Sequence, residues 1–157
     1  MREIPKKNYY ILVILLVITS LLTLVLSNLY LNSKKIVSSF YEYSNKITPK
    51  EFDQFMTENS DVIIYISDKY DLTNEKIEGK LESKLDNLNL KHNFVFIDSN
   101  DINKKFIKKL KKIYEINIDT SKTPIIIVII DKQIVKNVSI TTDSNIDTLI
   151  DFEAFEW

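Results

Sequence analysis

The stretch Thr123 to Ile130, TPIIIVII, runs through Asp131 and Lys132 into QIVKNVSI, Gln133 to Ile140. Six consecutive β-branched apolar residues directly after a proline read as a strand. The polar pair that follows joins it to a second strand in the manner of a hairpin. The same continuous character marks DVIIYIS, Asp61 to Ser67, which has strand length and reads as a strand covered on both faces. Between and around these runs the pattern changes to the helical period.

EKIEGKLESKLDNLNL places Ile77, Leu81, Leu85 and Leu88 on one apolar helix face. NFVFIDS, Asn93 to Ser99, is the next strand. DINKKFIKKLKKIYEIN is the next helix, with Ile102, Phe106, Leu110 and Ile113 expected inward and the lysines between Lys104 and Lys112 mostly outward. Upstream, TPKEF supplies Thr48 as N-cap, Pro49 at the first helical position and Glu51 three residues after the cap, which starts a short helix reaching about Asn59. At the other end, Ser144 is a candidate N-cap, and Ile146, Leu149, Ile150 and Phe155 are a candidate packing face. The order is helix, strand, helix, strand, helix, strand, strand, helix. It makes a βαβ half followed by a ββα half, one sheet covered by helices, with the number of crossovers left open.

The chain has 157 residues, 45% of them hydrophobic and 27% charged, enough for one domain with a core. A separate segment precedes that domain. Tyr9 to Leu31, YYILVILLVITSLLTLVLSNLYL, carries no charge, and about 20 such residues cross a hydrocarbon layer of about 30 Å. It reads as an uncleaved anchor in preference to a signal peptide, because the apolar region is long and no A-x-A-like site follows. Arg2, Lys6 and Lys7 precede it and Lys34 and Lys35 follow, a slight bias toward a cytoplasmic N-terminus. The expected organisation is a cytoplasmic head at 1–8, a transmembrane anchor at 9–31, a connector at 32–46 and an extracytoplasmic domain at 47–157.

Charge and composition exclude several functions. Beyond Leu31 there are 18 basic and 21 acidic residues, a net charge near −3 that argues against a nucleic-acid binder. There is no cysteine, so neither disulfides nor thiol chemistry is available. His92 is the only histidine and has no second ligand beside it, which leaves a surface or strand-edge role and no metal site. Asp98, Asn100 and Asp101 in DSNDIN lack the glycine and distal glutamate of a calcium loop, and helix capping at Asp101 accounts better for the motif. Gly79 is the only glycine, so no glycine-rich phosphate cradle exists and no cofactor is expected. The lysines of KKFIKKLKKIY read as a solvated face rather than a lipid-headgroup site. Phe152, Phe155 and Trp157 read as a cap on the core, with contact to a membrane interface or a partner as the other reading.

An element order of this kind, with Thr-Pro before the penultimate strand, resembles the thioredoxin fold, a central mixed four-stranded sheet flanked by helices. In that family the proline is cis, and the backbone of the residue before it faces the active-site loop and can pair with an extended peptide. The resemblance puts Pro124 and Thr123 in those places. More narrowly, ITPKEFDQFM through DVIIYIS is similar to membrane-anchored thioredoxin-like proteins of Gram-positive bacteria, the bacteriocin transport-accessory group among them, over about residues 47 to 155. Those proteins follow the strand with Cys-x-x-Cys. Here the chain reads DKYDLTNEKI, which sets Asp71 and Asn74 where the two cysteines would stand. A carboxylate and an amide suit a helix start and cannot exchange disulfides.

What the resemblance implies is a non-enzymatic, redox-inactive module tethered by its anchor to the lipid bilayer of the cell membrane. Asp68, Tyr70, Asp71, Asn74, Thr123 and Pro124 are its candidate contacts to a protein or peptide partner, such as a transporter or secretion component. The alternative is an immunity or accessory protein that acts mainly through its anchor helix.

Overall fold

A computed structural model describes residues 6–33, 36–141, 143–150 and 155. The chain divides into two compact units, Met1–Ile36 and Val37–Trp157.

The first unit is one helix, α1 (Lys6–Ser33). Its segment Asn8–Leu31 has 24 residues, about 36 Å at the helical rise, and its most apolar 18 residues have a mean hydropathy of 2.7. Two of its threonine hydroxyls are bonded within the helix. The Thr19 hydroxyl donates to the Leu16 carbonyl at 2.9 Å and the Thr23 hydroxyl to the Thr19 carbonyl at 2.8 Å, so these groups are satisfied inside the helix. A helix of this length and composition fits a membrane anchor or a signal sequence.

The second unit is a mixed sheet with helices on both faces. Its elements are α2 (Ser39–Tyr43), β1 (Asn45–Lys46), α3 (Phe52–Glu58), β2 (Val62–Ser67), α4 (Glu75–Asn87), β3 (Phe94–Asp98), α5 (Lys104–Ile113), β4 (Ile125–Ile130), β5 (Gln133–Ser139) and α6 (Ile146–Leu149). The strand order is β1-β3-β2-β4-β5. β1 and β2 each lie parallel to β3, while β4 runs antiparallel to both β2 and β5. The sheet therefore has five strands and not four. The extra one, β1, is two exposed polar residues, too short to show any alternation in sequence. Only its pairing with Val95 and Phe96 reveals it.

Continuous apolar strands bury both faces because alternate side chains feed different cores. Ile63, Tyr65, Phe94, Phe96, Ile126 and Val128 pack with Phe40 of α2, with Ile77, Leu81 and Leu85 of α4, and with Ile146, Ile150 and Phe155. On the other face, Val62, Ile64, Ile66, Val95, Ile97, Ile125, Ile127 and Ile129 meet Phe52 and Met56 of α3 and Phe106 and Leu110 of α5. Phe40 packs edge-on against Tyr65 and Phe94. Residues 38–46, expected to be connector, thus supply a core aromatic and an edge strand to this unit.

Several local readings shift. Glu51 reaches back to the Thr48 N–H at 2.8 Å, yet the Thr48 hydroxyl donates to the same carboxylate instead of accepting from the backbone. The residues after Pro49 form a turn, and the α-helix begins only at Phe52. Asp101 does not cap α5. Asn103 does, accepting the Phe106 N–H at 2.9 Å, and Asp101 closes a short 3-10 turn that Asp98 caps. At α6 the cap is Asn145, while the Ser144 hydroxyl accepts the Thr141 N–H.

Ile113, expected inward, is 63% exposed. The chain reverses at Glu115, whose φ is 58°, and the Ile116 N–H bonds the Leu110 carbonyl, so the buried side chain there is Ile116. Phe152 and Trp157, the side chain of Leu149, and Lys34 and Lys35 lie outside the described residues.

Candidate functional site

The carboxyl ends of β2 and β3 lie side by side because the strands are parallel, with Ser67 paired to Asp98. Open α/β sheets commonly place their sites at such ends. Here the ends carry a tightly bonded set of polar groups. The Asp68 carboxylate accepts the Tyr70 N–H at 2.9 Å and the Asn100 side-chain amide at 2.8 Å, and that amide also donates to Asp98 at 3.0 Å. Lys69 forms an ion pair with Asp98 at 2.9 Å, and its ammonium lies 5.2 Å from the centroid of the Tyr70 ring. The neighbouring Asp98 carboxylate holds the Lys69 amine above its usual range.

Asp71 opens the next turn. One of its oxygens accepts the Thr73 N–H at 2.9 Å and the Thr73 hydroxyl at 2.6 Å, and the other accepts the Asn74 side-chain amide at 3.0 Å. The Thr73 hydroxyl in particular lowers the Asp71 carboxyl below its ordinary value. Asn74 stands at the N-cap position of α4 but makes no capping bond with its side chain, which is buried and committed to Asp71. Asp71 therefore organises the 3-10 turn Leu72–Asn74, and the exposed Glu75 supplies the negative charge that the helix dipole favours in the first turn of α4.

Thr123-Pro124 is cis, as the sequence reading expected. The antiparallel pairing of β2 with β4 ends at Ile66 and Ile125, so Pro124 enters β4 at the end of the sheet where Ser67 leaves β2. Thr123 is extended, with φ −68° and ψ 149°. The Pro124 carbonyl accepts the Ile140 N–H at 2.9 Å. The six candidate residues are thus brought to one end of the sheet, where Asn74 and Pro124 are buried and Asp68, Tyr70, Asp71 and Thr123 are partly exposed.

One component was missed in the sequence. Glu78 is 2% exposed. It accepts the Ser38 hydroxyl at 2.7 Å on one carboxylate oxygen and the Tyr65 hydroxyl at 3.0 Å on the other. Burial pushes its carboxyl above the ordinary range; the two hydroxyl donors oppose that shift, and Asp71 and Glu75 reinforce it. Burial, with Glu78 alongside, raises the Tyr65 phenol as well. The only sequence signal was that Glu78 directly follows Ile77 on the inward face of α4. Ser67 lies in the same region with a buried hydroxyl and no hydrogen-bond partner among the described residues.

His92 is exposed. Among the described residues no cluster of three or more His, Asp or Glu side chains has the spacing to hold a metal ion. No protein-family model matches the chain, and no curated protein matches it.

Proposed function

We propose that this chain is a membrane-tethered, redox-inactive module of thioredoxin-like fold that acts outside the membrane by binding a protein or peptide partner, as an accessory subunit of a transport or secretion system. The observation that carries this reading is the juxtaposition at one sheet end. The hydrogen-bonded turn from Asp68 to Asn74, after β2, and the Thr123–Pro124 entry to β4 meet the same end of the sheet. Element order supports it further, with a helix-covered sheet whose penultimate strand follows that proline. Where the resembling family has its two cysteines, Asp71 and Asn74 bond to each other, so the surface keeps a shape for contact and has no thiol to exchange. The apolar helix α1 supplies the tether.

Crosslinking and pull-down from membranes test this proposal with Thr123→Trp and Tyr70→Ala, each first shown to be folded by circular dichroism and thermal melting. Loss of the captured partner in folded variants is the expected result. Capture at the wild-type level from both would exclude this surface and move the weight to the anchor helix. Replacing Asp71 and Asn74 by cysteine adds thiol reactivity but removes the bonds that shape the turn, so partner capture should not improve; a gain in capture that depends on those thiols would contradict the proposal.

A further inference from the structure

Ser38 is held at two points. Its N–H donates to the Lys69 carbonyl at 2.8 Å, inside the candidate site, and its hydroxyl donates to the buried Glu78 at 2.7 Å. It stands seven residues after Leu31, the end of the apolar span, and it leads into α2, whose Phe40 fills the core. Glu78 lies one helical turn beyond Asn74, and the charge of Asp71, which organises that turn, acts on its carboxyl. We propose that Ser38, Glu78 and Tyr65 form a proton-controlled latch that docks the chain leading from the apolar helix against the candidate site, and that losing the proton from Glu78 releases the latch and loosens the Lys69–Asn74 turn. This rests on the proposed site being the working surface, and it adds regulation to that surface.

The sign follows from what surrounds the carboxyl. Facing it are the Tyr65 phenol from β2, Asp71 from the turn and Glu75 from α4, together with the hydroxyl of Ser38, which precedes α2; of the titratable groups in α2, Tyr43 bonds Asp86 and Glu42 pairs with Lys46. Lys69, the nearest residue of the loop that could bring a positive charge, turns its ammonium to Asp98 and meets Ser38 through its carbonyl. Among the described residues no cation pairs with Glu78. A proton on Glu78 removes a buried negative charge from the company of two other carboxylates, and either hydroxyl oxygen can accept that proton's hydrogen bond. Ionisation restores the charge in a site with little solvent. Opening α2 away from α4 admits water to it. The closed latch is accordingly the state of lower pH and the open latch the state of higher pH.

The test is hydrogen exchange on the full chain in lipid nanodiscs between about pH 4 and 9, with the intrinsic pH dependence of exchange divided out. It follows the amides of Ser38, Glu42 and Ser44, which bond the carbonyls of Lys69, Ser38 and Phe40. In the wild-type chain their protection falls by about tenfold or more as Glu78 ionises. Glu78→Gln keeps the shape and the acceptor oxygen but has no proton to lose, so its protection stays level across the range. Ser38→Ala removes a donor that favours the ionised form, so the transition moves to higher pH; Tyr65→Phe acts in the same direction. A wild-type profile that is flat, or an equal fall in Glu78→Gln, would overturn the latch, and so would a downward shift in Ser38→Ala. None of these readouts involves a partner, so the latch and the binding surface succeed or fail separately.

Discussion

Asp71 accepts three hydrogen bonds within four residues of chain, which makes it the side chain most answerable for the shape of the candidate site. Asp71→Ala is expected to cost about 0.5–2 kcal/mol in chemical denaturation, the range for a lost cap. That difference has a pH dependence of known sign. The folded state lowers the Asp71 pKa, so its contribution is complete above the unfolded value near 3.9 and is lost as pH falls through the folded value. The stabilities of wild type and Asp71→Ala should converge on acidification, and a gap that widened there would refute the assignment. Gly79 offers the opposite case. It sits inside α4 with nothing within 4 Å of where a Cβ would stand, so Gly79→Ala should raise stability by about 0.5–1 kcal/mol, measured as an upward shift in melting temperature.

At the scale of elements, capping decides where helices begin, and α5 separates two readings sharply. Because Asn103 bonds the Phe106 N–H and Asp101 only ends a 3-10 turn, Asn103→Ala should cost about 1 kcal/mol while Asp101→Ala stays within about 0.5 kcal/mol of wild type. Equal costs would show that the cap is misplaced. The β4–β5 hairpin is a second place where an element is set by an unusual residue choice. Asp131 and Lys132 both have positive φ, 50° and 63°, as a type I′ turn requires; aspartate is among the residues favoured at the first place, but Lys132 stands where glycine is preferred. The buried Asp61 carboxylate accepts the Asp131 N–H at 2.8 Å and the Ser60 hydroxyl, and the Ser60 carbonyl accepts the Lys132 N–H. Asp131→Asn together with Lys132→Gly should stabilise the fold by a few tenths to about 1 kcal/mol in urea unfolding. A destabilised double variant would indicate that the Asp131 or Lys132 side chain contributes more than its backbone does.

For the whole molecule the question is where the second unit resides relative to a bilayer. The chain has no cysteine, which makes it a clean background for labelling. Single cysteines at Asp71 and Lys108, both outside α1, should react with a membrane-impermeant maleimide in intact cells, and one at Arg2 should not. The reverse pattern would place the unit in the cytoplasm and end the exported-module reading, while leaving its fold untouched.

The element types were legible in the sequence because their signals are local. Unbroken apolar runs at β2 and β4 and the repeat of Ile77, Leu81 and Leu85 on α4 are local signals, and all of these apolar residues are buried except Ile130, half-buried at the end of β4. The apolar length of α1 and the absence of cysteine belong to the same class. β1 was out of reach, since two polar residues become a strand only when β3 is alongside. Ile113 followed the correct period, but the reversal at Glu115, with a non-glycine residue at positive φ, leaves it exposed and buries Ile116 instead. Glu78 was equally hidden. A glutamate in the first turn of a helix is ordinary on a solvated face, and only the convergence of Ser38, 40 residues earlier, and Tyr65, 13 residues earlier, turns it into a buried acceptor of two hydroxyls. Period and composition are properties of neighbouring residues and can be read along the chain. Burial of a charge and the pairing of an edge strand are properties of surroundings assembled from distant segments, and only the tertiary structure decides them.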